Sequence, residues 1–135
     1  MLVRDYMTPD VVCANLRDGL HQTALRMHER GIRHLPVLDD HDRLAGIISD
    51  RDVRRPSFVD PDANHTRPFA LSNAITVEQA MTPAPTTIAP DDTVARALDL
   101  FLERHYGALP VVDGAKIVGI LSTHDLLRAF RERIG

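Results

Sequence analysis

Two stretches decide how this chain reads: "GILSTHD", Gly119–Asp125, and "GIISDRD", Gly46–Asp52. They begin 73 positions apart, and each keeps a Ser and an Asp at the same spacing. Working outward, the likeness continues. "VRDYMTP" (Val3–Pro9) matches "VEQAMTP" (Val77–Pro83), and "HERGIRHLPVLD" (His28–Asp39) matches "LERHYGALPVVD" (Leu102–Asp113), both at an offset of 74. The lost residue falls where "DDHDRLAG" faces "DGAKIVG", a turn, where a change of length costs little. The chain is written twice.

Each copy predicts the same run of elements. A short amphipathic piece ends in Met-Thr-Pro, stopped by Pro9 or Pro83. In the second copy Thr76 and Gln79 have capping-box spacing. The extended runs "DVVCA" (Asp10–Ala14) and "PTTIA" (Pro85–Ala89) follow. A helix then starts near Asp18 or Asp92, with Leu20, Ala24 and Met27, or Val94, Leu98 and Phe101, as its apolar face. Two apolar strands flank a turn, signalled by Asp113-Gly114 in the second copy. A last helix opens at Ser49 or Ser122. In the second copy Leu126, Leu127, Phe130 and Ile134 share a face; in the first, Pro56 cuts it short.

The expected fold class is therefore α/β (α+β): two tandem strand–helix–strand–strand–helix repeats, at 1–55 and 76–135, joined by a linker at 56–75. A single repeat is marginal alone, so the two are expected to pack into one core. The linker carries Pro56, Pro61 and Pro68, with an ordered crossover expected near its end and a mobile stretch around "DPDANHT".

Composition narrows the function classes. With 135 residues, 44% of them hydrophobic and 26% charged, the chain has ordinary globular usage. A net charge of −3 provides no broad attraction to nucleic acid or anionic membrane. The single cysteine, Cys13, precludes an intramolecular disulfide and suits a reducing compartment. With neither a signal pattern at the N-terminus nor a long apolar run, the expected location is the cytoplasm.

Taken together, Met-Thr-Pro, Leu-Pro-Val and Gly-Ile-x-Ser-x-x-Asp, each in duplicate at this spacing, resemble a pair of CBS domains (a Bateman module). The chain is also similar to the CBS part of acetoin-utilisation-type bacterial proteins. The resemblance implies a sensor that binds an adenosyl ligand, such as AMP, ADP, ATP or S-adenosylmethionine, in clefts between the repeats, as a homodimer that regulates another protein. It implies a ribose role for Asp52 and Asp125 and a phosphate role for Ser49 and Ser122.

The residue chemistry is compatible. A carboxylate accepts from both ribose hydroxyls at once, and a helix start offers unpaired N–H groups to phosphate. Ser-x-x-Asp equally reads as an N-cap with an acidic third residue, and capping and binding can coexist. Arg33 and His34, just before Leu35-Pro36, and Arg51 and His124, inside the motifs, are the local cations. The second copy has Gly107 and Ala108 where the first has Arg33 and His34, so the two sites are expected to differ. Cys13 and Ala14, and Thr87 and Ile88, are candidates for an adenine edge, with sheet core as the alternative. Tyr106 is a candidate for stacking on the base.

Other classes fare worse. Ser122, His124 and Asp125 have triad residue types, but neighbours at a helix start point in different directions, so no enzyme activity is expected. His21 and His28 lie two turns apart, and no His-x-x-x-His or Cys-x-x-Cys spacing occurs, so no metal site and no required cofactor are expected. Nucleic-acid binding lacks a dense basic stripe. The true rival is a ligand-free dimerisation or protein-interaction module, built on the apolar face of the last helix.

Overall fold

The computed structural model describes residues 1–55 and 74–135. The expectations for the linker around "DPDANHT" and for Pro56 lie outside the described residues. The chain forms two compact units, residues 1–11 with 85–135 and residues 12–84. These units and the sequence repeats do not coincide. Each unit takes its Met-Thr-Pro segment from the opposite copy.

In the contiguous unit, β2 (Ala14–Asn15), β3 (His34–Leu38), β4 (Leu44–Ser49) and β5 (Thr82–Pro83) form one sheet in the order β2-β3-β4-β5. The helices α2 (Leu20–Arg30), α3 (Asp50–Val53) and α4 (Val77–Ala80) accompany it. The other unit joins α1 (Val3–Tyr6) and β1 (Thr8–Pro9) to α5 (Val94–Arg104), β6 (Ala108–Asp113), β7 (Lys116–Ser122) and α6 (Thr123–Ile134). Its sheet runs β1-β7-β6.

The Thr-Pro pairs are strands, an element absent from the sequence reading. Thr8 and Pro9 lie antiparallel to Ile120 and Gly119, and Thr82 and Pro83 to Ile47 and Gly46. Each is an outer strand, which accommodates proline's missing N–H. The pairing also explains the motif glycines. A Cβ on Gly119 would come within 2.8 Å of the Thr8 carbonyl oxygen and of the Met7 sulfur. A Cβ on Gly46 would meet the Thr82 carbonyl oxygen at 2.8 Å and overlap Met81.

Each unit has its own apolar cluster where one core was expected. Leu20, Met27, Leu35, Val37, Ile48, Val53 and Val77 fill one. Val3, Ile88, Val94, Phe101, Leu109, Val111, Leu121 and Leu126 fill the other. Two helix faces differ from expectation. Leu98 is exposed and Ala97 is buried in its stead. On α6, Leu126 and Ala129 point inward while Leu127, Phe130 and Ile134 are exposed.

Helix starts also shift by one residue. Gly19 and Thr93 are the N-caps of α2 and α5, with the Thr93 hydroxyl accepting from the Arg96 N–H at 3.1 Å. Asp18 and Asp92 instead close the preceding loops, accepting from the Asn15 and Ala89 N–H groups at 3.0 and 2.9 Å. The Gln79 half of the expected capping box forms, its Oε1 accepting from the Thr76 N–H at 2.9 Å.

Candidate functional site

The two Ser-x-x-Asp motifs adopt one geometry. In each, the Ser ends a strand and caps the next helix, so the strand delivers the Ser and the helix sets the position of the Asp. The Ser49 hydroxyl accepts from the Asp52 N–H at 3.1 Å, and Asp52 Oδ2 accepts from the Ser49 N–H at 2.9 Å. The Ser122 hydroxyl accepts from the Asp125 N–H at 3.1 Å, and Asp125 Oδ2 accepts from the Ser122 N–H at 2.8 Å. Both motifs are thus reciprocal capping boxes. Within this motif the Ser122 hydroxyl caps its own helix and His124 is exposed.

The remaining carboxylate oxygens face arginines that the sequence reading did not select. Arg128 Nη2 donates to Asp125 Oδ1 at 3.1 Å and to the Tyr6 carbonyl at 3.2 Å. The equivalent Arg55 Nη2 lies 3.6 Å from Asp52 Oδ1. Both sit three residues after the Asp, a spacing that brings side chains together at a helix start, and this was the available signal. The Asp125 side chain is 6% exposed and that of Asp52 is 16% exposed. Asp125 is therefore the more deeply set of the two.

The other candidate residues divide cleanly between the units. Cys13, Ala14, Arg33, His34, Ser49, Arg51 and Asp52 all belong to the contiguous unit. Thr87, Ile88, Tyr106, Ser122, His124 and Asp125 all belong to the other. Strand pairing sets His34 directly opposite Ser49, and Ala108 opposite Ser122. The Arg33 carbonyl accepts from the Asp50 N–H at 2.8 Å, which tethers the Arg33–His34 corner to the first turn of α3. Arg33 and Arg51 are both exposed. The Arg33–His34 corner has Gly107 and Ala108 in its place in the other unit, so the cationic character of the two sites differs.

The extended runs are largely committed to the sheets. Ala14 is buried and pairs in parallel with Val37. Ile88 is buried, donates to the Pro110 carbonyl at 3.1 Å and accepts from the Val112 N–H at 2.9 Å. The Cys13 carbonyl accepts from Arg26 Nη1 at 3.0 Å, and burial pushes its thiol above the ordinary range. Thr87 is exposed. Tyr106 packs against the apolar cluster with its hydroxyl 2.7 Å from the Thr86 hydroxyl, a contact that fixes the ring's orientation.

Burial pushes the His34 imidazole below its ordinary value, against the opposing pull of Asp52 and Asp50 and with Arg33 adding to the fall. The folded protein therefore takes up this proton less readily than the unfolded chain. The His34 contribution to stability is full above the unfolded value of about 6.5 and is lost as pH falls from there through the lower folded-state value. Melting temperatures recorded from pH 7.5 to 5.5 are expected to drop less in His34→Gln than in the wild type. Parallel curves for the two proteins would contradict this assignment.

Among the described residues no helix is long and apolar enough to cross a membrane, and no cluster of three or more His, Cys, Asp or Glu side chains forms a metal site. Comparison with known proteins places this geometry in context. The arabinose 5-phosphate isomerase KdsD of Pseudomonas aeruginosa is 36% identical over 115 residues, which cover 84% of this chain and 32% of that enzyme. This chain thus spans about a third of the isomerase's length. The structure of CBSX2 in complex with AMP superposes with a TM-score of 0.80 at 27% identity, covering 99% of this chain and 98% of that one. The CBS domain pair of MJ0100, solved with 5′-methylthioadenosine and S-adenosyl-L-methionine, gives a TM-score of 0.82 at 25% identity, covering 98% of both chains. The family model for the CBS domain matches twice, at residues 3–57 and 77–132, and with both copies of the motif built alike the chain belongs to the CBS domain family as a tandem pair.

Proposed function

We propose that this chain is a regulatory, non-catalytic module that senses an adenosyl ligand, with Asp52 and Asp125 as the ribose-binding carboxylates. The observation that carries the reading is the state of those carboxylates. An ionised carboxyl group has about four lone-pair sites. The capping N–H takes one and the neighbouring arginine faces another, leaving about two, the number that a ribose 2′,3′-diol needs. The ligands of CBSX2 and of MJ0100 named above share that diol, which supports the class. Ser122 and the start of α6, and Ser49 with Arg33, His34 and Arg51, supply the phosphate end. Cys13, Thr87 and Tyr106 border the base, while Ala14 and Ile88 hold the flanking strands in their sheets. No cofactor is required in this reading, and the regulated partner is a separate protein.

A second observation extends the reading. Leu98, Leu102, Leu127, Phe130 and Ile134, on α5 and α6, are all exposed apolar side chains in one unit. A homodimer formed in the cytoplasm would cover such a face, and light scattering of the purified protein measures it; a monomer at tens of micromolar removes the dimer from the proposal.

The test of the ligand is calorimetric titration of nucleotide-stripped protein with AMP, ATP and S-adenosylmethionine, each beside its 2′-deoxy counterpart where one exists. Asp52→Asn and Asp125→Asn keep a capping oxygen but remove the charge. Each is expected to weaken its own site by about 10- to 100-fold, the worth of one or two hydrogen bonds to a charged group. The 2′-deoxy ligand is expected to bind about tenfold more weakly. Folded protein that gives no saturable heat with any of the three points instead to the ligand-free interaction module.

A further inference from the structure

Arg128 makes the longest-range side-chain link in the site, from α6 to the carbonyl of Tyr6. Its guanidinium reaches two acceptors at once. One is Asp125 Oδ1, the carboxylate oxygen not used by the cap; the other is the carbonyl of Tyr6. Tyr6 ends α1, and the residues after it run directly into β1, which pairs with β7. Because β7 ends at Ser122, the segment 3–9 and the Ser122–Asp125 cap lie along one strand. Further contacts hold the segment: the Val3 N–H donates to the Asp92 carbonyl at 2.9 Å, the Arg4 N–H to the Pro90 carbonyl at 3.0 Å, and the Arg4 side chain pairs with Asp91 at 3.0 Å.

The contiguous unit offers an internal comparison. Arg55 is the equivalent residue, but α3 ends at Val53, two residues before it, and its Nη2 is 3.6 Å from Asp52 Oδ1. Arg128 stands within a twelve-residue helix, so its backbone is fixed and only its side chain must be ordered. Arg128 Nη2 therefore holds a nearly buried carboxylate at hydrogen-bonding distance, whereas Arg55 Nη2 stands farther from its carboxylate.

We propose that Arg128 is a positioning residue of the Asp125 site. It locks the carboxylate in the rotamer that presents its remaining lone pairs to a ribose, and through the Tyr6 carbonyl it makes that rotamer depend on the docked N-terminal segment. The proposal rests on the reading of Asp125 as a ribose carboxylate. It adds a direction of coupling: ligand on Asp125 and the docking of residues 3–9 stabilise one another, since both favour the same position of one guanidinium.

The test uses the full chain carrying Asp52→Asn, so that the Asp125 site is read alone, with AMP and adenosine as probes. Arg128→Ala is expected to weaken both probes by the same factor, about three- to tenfold, the cost of ordering a side chain on binding. Equal loss matters, because an arginine that merely attracts phosphate would weaken AMP and leave adenosine unchanged. Arg128→Lys retains the charge on a shorter side chain, whose ammonium stops short of the point where Nη2 bridges Asp125 Oδ1 and the Tyr6 carbonyl, so it is expected to stay weak for both probes; full recovery by lysine overturns the proposal. Hydrogen exchange supplies a separate readout. Adenosine is expected to slow exchange of residues 3–9 in the Arg128 protein and to have no such effect in Arg128→Lys, which retains the charge and the fold. Saturable binding by the parent protein that Arg128→Ala leaves unchanged or strengthens refutes the positioning role while sparing the ribose reading. No binding of either probe by the wild type or by the parent protein refutes the ribose reading itself, and the positioning role with it.

Discussion

Gly119→Val is expected to destabilise the unit built from the two chain ends by about 3 kcal/mol, near the upper end of typical overpacking costs. The first side-chain carbon would stand 2.8 Å from the Thr8 carbonyl oxygen and from the Met7 sulfur. The methionine can turn away. The carbonyl cannot, because Thr8 is held in register against Ile120. Relief therefore requires β1 to separate from β7, and that exposes Val3, which is fully buried in the same cluster. Two measurements check this. Thermal unfolding is expected to shift down by roughly 10 °C for a chain of this size. Native-state hydrogen exchange is expected to rise in residues 3–9 and remain unchanged in β3 and β4. A shift of less than about 2 °C would mean that the outer strand is not held as described.

Asp125→Ala is expected to cost about 2 to 3 kcal/mol, independently of any ligand. The substitution deletes the acceptor of the Ser122 N–H and of Arg128 Nη2 together. It leaves a part-buried donor without its partner at the start of a twelve-residue helix. Asp52→Ala makes the matching deletion before a helix of four residues, at a side chain more open to water. Its expected cost is about 1 kcal/mol. Asp125→Asn keeps one oxygen for the Ser122 N–H and is expected to recover roughly half the loss. Chemical denaturation of the three proteins measures the order. Equal costs at Asp52 and Asp125 would show that helix length and burial do not set the value of the cap.

The repeat was legible because each copy must solve the same local problems. Ser49 and Ser122, Gly46 and Gly119, and the strand pairs around Leu35-Pro36 and Leu109-Pro110 are dictated by neighbours in sequence. Even the left-handed helix end recurs, on Gly31 in one copy and on His105 in the other. The partner of the Met-Thr-Pro segment was not legible. Both copies carry the same three residues, so either could pair with either glycine strand, and periodicity says nothing about which copy a segment joins. Leu98 and Leu126 were misplaced on their helices for a related reason. An i, i+4, i+7 pattern locates an apolar stripe, but the angle at which the helix meets its sheet decides which edge of the stripe is covered.

The candidate site was half legible. Asp52 and Asp125 stood out by repetition, and the capping alternative was present in the same letters. Arg55 and Arg128 repeat at the same spacing, but arginine is abundant on surfaces, and only the two acceptors of Arg128 distinguish it from a solvated charge. The adenine-edge candidates Ala14 and Ile88 illustrate the converse, since strand residues with backbone groups already paired look in sequence like strand residues with groups to spare.

The exchanged first segment gives the two units different histories during synthesis. Residues 12–84 form a unit that is complete once they have left the ribosome. The other unit cannot close until β7 has emerged, because its outer strand was made more than a hundred residues earlier. Until then Val3, Tyr6 and Met7 lack the cluster they pack against in the folded unit. Bringing Thr8 to Ile120 costs little more entropy than a loop half as long, since the penalty grows only with the logarithm of length. The delay is what matters: a second nascent chain that offers its own Gly119 strand first would satisfy the waiting segment equally well, which makes exchange of the N-terminal strand between copies the natural misassembly of this fold.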